Sequence, residues 1–111
     1  MEQELGLGTY LHAVPKQNKS LYLNEIHNCE LVHYSNNSNI GRRIFTKVLG
    51  YADTQQDICS MYLDKYRLLA ILQFIALPLK MNDTLYGDIN IMIAKLRDIK
   101  YNCWILVSYD N

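Results

Sequence analysis

The segment Leu68 to Leu79, LLAILQFIALPL, constrains this chain most: of twelve consecutive positions only Gln73 is polar. A membrane-crossing helix needs about 20 apolar residues, and a run of about 10–14 is more typical of a helix buried in a core. Asp64, Lys65 and Arg67 stand just ahead of the run and Pro78 near its end, so the reading is a core helix with no membrane partner. A helix that is apolar all round must be covered on several sides. The rest of the chain has to supply that cover. At 111 residues it is long enough, since a chain of this size buries roughly 65% of its extended surface without needing metals or disulfides. With five Gly, two Pro and a fifth of its side chains charged, the composition is that of a folded domain, and one domain spanning residues 1–111 is expected.

The N-terminal third reads as strands. Thr9 to Val14 ends at Pro15 before the polar stretch Lys16 to Ser20, a hairpin loop by composition. Leu21 to Tyr34 is rich in apolar and aromatic residues but too long for one strand, which places a break near Asn24-Glu25 or His27-Asn28. Ser35 to Asn39 is a turn cluster. Beyond it the period becomes helical: Ile40, Ile44 and Val48 recur every four residues, with Arg42, Arg43 and Lys47 between them and Gly50 at the position of a C-terminal cap. Asp53 and Gln56 resemble a capping box opening a second helix that runs to Leu77, with Ile58, Tyr62, Tyr66 and Leu69 on its apolar face. A third helix is expected from Leu85, Ile89, Met92, Ile93, Leu96 and Ile99, in preference to a strand through residues 88–93. Cys103 to Tyr109 is a nearly continuous apolar run, the pattern of a strand buried on both faces and central in its sheet. The fold class is therefore α+β: a small, mostly antiparallel sheet of N-terminal strands plus the C-terminal strand, packed against about three helices. A parallel crossover onto the last strand is the competing topology.

Chemistry-bearing residues are few. His27-x-Cys29-x-x-x-His33 would project from one face of an unbroken strand, two imidazoles and a thiol of the kind zinc accepts, but strand spacing holds them farther apart than metal bonds allow. They are a weak metal candidate, and no metal or cofactor is expected. The three cysteines form no CxxC pair, suiting a reducing compartment, and Glu2 and Glu4 stand where a signal peptide would need basic residues, so the expected location is the cytoplasm. Cys29, Cys59 and Cys103 have no local partner pattern of a nucleophile, and no phosphate-cradling glycine loop occurs; the expectation is not an enzyme.

Charge is balanced over the whole chain, at eleven acidic and eleven basic residues, yet Ile40 to Gly50 holds three bases and no acid. The aromatic set is dominated by nine tyrosines, a residue favoured at protein interfaces. Arg42, Arg43, Lys47 and Tyr51, with Tyr62 and Tyr66, are accordingly the candidate partner-binding residues. The functional expectation is a small protein-binding module, an inhibitor, immunity-type antidote or adaptor that blocks a partner protein. The alternative is a nucleic-acid or nucleotide-binding regulator using the basic helix. Self-association into a homo-oligomer is compatible with either reading.

Overall fold

The computed structural model describes residues 7–16, 29–50 and 58–110. In chain order the elements are β1 (Gly8–Val14), β2 (Glu30–Ser35), α1 (Ser38–Leu49), β3 (Ile58–Asp64), α2 (Lys65–Ala76), α3 (Thr84–Asp98) and β4 (Trp104–Asp110). The four strands form one sheet in the order β2-β1-β4-β3, and all three pairings are antiparallel. This is the α+β arrangement expected, and the parallel crossover does not form.

The C-terminal strand is central, between β1 and β3, because its run of apolar residues can be satisfied only where both faces are covered. Ile105 to Tyr109 are all buried. Ile105, Val107 and Tyr109 join Leu11 and Ala13 of β1 and Leu63 of β3 in the core beneath the helices. Helix α3 contributes the expected stripe, with Leu85, Ile89, Met92, Ile93 and Leu96 buried. Helix α1 begins at the Asn37 cap, whose side chain accepts from the Asn39 N–H at 3.0 Å, and ends at Gly50 in the left-handed conformation. There φ is 82° and the cap N–H returns to the Thr46 carbonyl, a geometry that favours glycine.

The long second helix is corrected by the structure. Residues 58–64 are strand β3, and helix begins only at Lys65. A spacing of four fits one helical turn and also two pleats of a strand, so the recurrence of Ile58, Tyr62 and Tyr66 could not separate the two. The pairing with β4 decides it, placing Met61 opposite Val107 and Leu63 opposite Ile105. Strand passes to helix without a loop: the Asp64 carboxylate caps α2 by accepting from the Tyr66 N–H at 3.0 Å, and the Lys65 N–H reaches the Cys103 carbonyl at 3.0 Å. The Asp53/Gln56 capping box lies outside the described residues.

In α2 the residues Leu68, Ile71, Leu72, Ile75 and Ala76 are buried as the apolar run requires, but the cover is incomplete. Phe74 remains 54% exposed and Leu77 80%. No helix among the described residues is long and apolar enough to cross a membrane.

Candidate functional site: a basic groove between two helices

Helix α1 turns Ile40, Gly41, Ile44 and Phe45 onto the sheet. With a period of 3.6, the residues between them point away from it. Arg43 and Lys47 are exposed and Arg42 half-buried. Opposite them the C-terminal turn of α2 presents Phe74, Ile75 and Pro78, and the two walls enclose a surface groove of about 760 Å³ whose α1 side is completed by Asn39 and Thr46. The Lys47 ammonium lies 3.9 Å from the centroid of the Phe74 ring, a cation–π contact joining the walls. Among the described residues, no carboxylate lines the groove. The single ion pair among the described residues is Lys16 with Asp64, at the far end of α2. Such a groove can take negative charge and an apolar group side by side, with the exposed Arg43 guanidinium suited to a bidentate contact.

Arg42, Arg43 and Lys47 are thus brought together as the sequence suggests. The tyrosines expected beside them are not. Tyr62 is on strand β3, half-buried and opposite Leu106, so it is no helix-face residue. Tyr66 is exposed at the first turn of α2, eight residues before Phe74, which separates them by about 12 Å along the helix axis. Tyr51 lies outside the described residues. Phe74 and Pro78 take the place expected of the tyrosines. The signal for them was the run Leu68 to Leu79 itself: once Leu68, Leu72 and Ile75 face inward, Phe74 must face out.

The His27, Cys29, His33 constellation is divided. His27 lies outside the described residues. A bulge shifts the β1–β2 register, so that Leu31 pairs with His12 while His33 pairs with Leu11. His33 then faces the helices with Leu11, and the alternation that would align it with Leu31 is broken. Among the described residues no three metal-ligating side chains come together. Cys29 is half-buried and Cys103 buried. Burial pushes the Cys103 thiol up, the direction opposite to an activated nucleophile.

Both described histidines are shifted toward the neutral form. Burial lowers the pKa of His12, whose Nδ1 has no hydrogen-bond partner among the described residues. Burial, and then the nearby Lys95 ammonium, lowers His33, with Asp88 acting in the opposite sense. Because each folded pKa lies below the unfolded value of about 6.5, the unfolded chain takes up protons first on acidification. The contribution to stability is complete above that value and is lost as pH falls toward the folded pKa. The melting temperature should therefore drop between pH 7 and pH 5, and His12→Gln with His33→Gln should flatten that drop in calorimetric scans. An unchanged pH slope in the double variant would contradict the assignment.

No family model, curated protein or solved structure matches this chain.

Proposed function

We propose that this protein is a non-enzymatic protein-binding module, an inhibitor, immunity-type antidote or adaptor, whose groove between α1 and α2 receives an acidic segment of its partner. The observation that carries the reading is that Arg42, Arg43 and Lys47 line one groove with the exposed Phe74, Lys47 lying over its ring, and that no carboxylate lines it among the described residues. Four features of one surface, three cations and an aromatic ring, are the composition of an interface centre. The nucleic-acid alternative uses the same cations. Zero net charge on the chain and the apolar wall of Phe74, Ile75 and Pro78 favour a protein over a polyphosphate.

The test is affinity purification from nuclease-treated lysate of the source cells, with wild type and the triple variant Arg42→Glu, Arg43→Glu, Lys47→Glu compared. Wild type should retain a stoichiometric protein at moderate salt. The variant should lose at least about 100-fold in affinity for it, a loss in keeping with central interface cations, while circular dichroism shows an unchanged fold. Retained binding by the variant would remove the groove from the interface. Affinity falling steeply with log salt toward a nucleic-acid ligand, and no protein retained, would establish the alternative.

A further inference from the structure

The C-terminal turn of α2 is shared by two grooves. On one side Phe74, Ile75 and Pro78 form the wall of the basic groove. On the other, Ala76, Leu77 and Leu79 form the wall of a second groove of about 390 Å³, closed by Met81 from the α2–α3 connection and by Tyr86 and Ile93 of α3. Arg97 stands in this second groove and, as in the first, no carboxylate lines it among the described residues. Leu77 and Met81 are 80% and 84% exposed, the two most exposed large apolar side chains among the described residues, and Phe74, at 54%, lies one turn before Leu77. Scattered apolar residues on a surface are ordinary, but a contiguous set rimmed by cations is the mark of a binding surface. Lys80, exposed, lies within it.

From this continuity we infer that the partner segment is an acidic amphipathic helix, which sets carboxylates against Arg43 and Lys47 and lays apolar side chains over Phe74, Leu77 and Met81. The inference rests on the protein-binding reading of the basic groove. An added strand is disfavoured because the turn offers no open row of backbone groups: the Leu77 N–H is bonded to the Gln73 and Phe74 carbonyls and the Leu79 N–H to that of Ala76. Recognition here has to run through side chains, and a helix seated against two helices presents its anchors at spacings of three and four. A bilayer is a poorer fit than a helix, since three cations line a concave groove and only Lys80 stands in the stretch that carries the exposed apolar tip.

The test is selection of a displayed library of random 16-residue peptides on the full chain. Enriched peptides should combine Asp or Glu with Leu, Phe or Trp repeated every three to four residues. Their affinity should fall about tenfold or more for Leu77→Ser with Met81→Ser, and about 100-fold for Arg43→Glu with Lys47→Glu. Leu77 and Met81 bury little, so the serine variant keeps the wild-type melting temperature. Enriched peptides that are weakened by the charge variant alone would overturn the helix inference and leave the groove reading standing. Peptides indifferent to both variants, or a library yielding no binder, would overturn both. Sedimentation of the chain with phosphatidylserine vesicles, lost in the serine variant, would overturn the helix inference in favour of a lipid surface.

Discussion

Gly41→Ala should melt about 5–10 °C below the wild-type protein. Helix α1 meets the sheet at this residue, and a methyl group there would stand 2.5 Å from Cβ and 2.8 Å from Cγ of Tyr109. Tyr109 is fully buried on the central strand and packs edge-to-face on Phe45, ring centroids 5.0 Å apart. Rotating its ring cannot relieve a clash with its Cβ, so the helix has to lift. That movement also strains the Gly41 N–H bond to the Thr9 hydroxyl, 2.9 Å, which in turn donates to the Asn37 carbonyl at the helix cap. Overpacking of this kind costs about 1–3 kcal/mol, whereas alanine returns at most about 1 kcal/mol in helix propensity. The clash wins. Because α1 carries Arg43 and Lys47, binding at the groove proposed above should weaken with stability. Gly87→Ala is the matched control: it lies in α3 with nothing within 4 Å of the added methyl, so only the propensity gain remains and the melting temperature should hold or rise. Equal melting of Gly41→Ala and wild type in calorimetry would refute the close approach of α1 to β4.

Periodicity was enough for elements that lean on one surface. Helix α3 and the C-terminal strand bury most of the residues their patterns named, since one face, or both, is committed to the core; Ile99, at the α3 C-cap, and Trp104, first in β4, are half-buried. It was not enough where two periods coincide. Residues 58–64 form a strand only because β4 offers a pairing edge, and the paired residues run from Asp64 with Trp104 to Ile58 with Asp110, 40 to 52 positions apart in sequence. The bulge in β2 is equally silent: one residue placed between Leu31 and His33 sends a histidine to the opposite face, and no residue type in that stretch announces it. At the candidate site the cations of α1 were legible from local charge. Their aromatic neighbour was not, because an apolar run reads as wholly buried until its helix is docked. Of the candidate tyrosines that are described, Tyr62 is on β3 and Tyr66 at the first turn of α2, and neither lines the groove.

Lys65→Met should be the costliest single polar replacement among the described residues, lowering stability by about 2–4 kcal/mol. Lys65 is 2% exposed, and its ammonium donates to the carbonyls of Ile99 at 2.7 Å and Tyr101 at 2.6 Å. Its backbone N–H meanwhile holds the Cys103 carbonyl. One residue therefore fastens the β3–α2 junction to the chain leaving α3 and entering β4. The position also suits a cation, since Ile99 caps the C-terminal end of α3, where the macrodipole is negative. Two effects compete in the substitution. Methionine keeps the apolar stem and removes an ammonium whose desolvation is costly, which alone would stabilise. It also leaves two carbonyls without their donor, at about 1–3 kcal/mol each, and loses the dipole interaction. The second effect is larger because the donor is short-bonded to both acceptors. Thermal melting should show a loss of roughly 10–20 °C, and hydrogen exchange should quicken at the amides of Lys65 and of β4. A variant as stable as wild type would mean that the buried charge costs as much as its two bonds return. The junction of β3, α2 and β4 would then be held by the backbone bond from residue 65 to Cys103, the Asp64 cap and the packing of Leu63, Leu68 and Ile105.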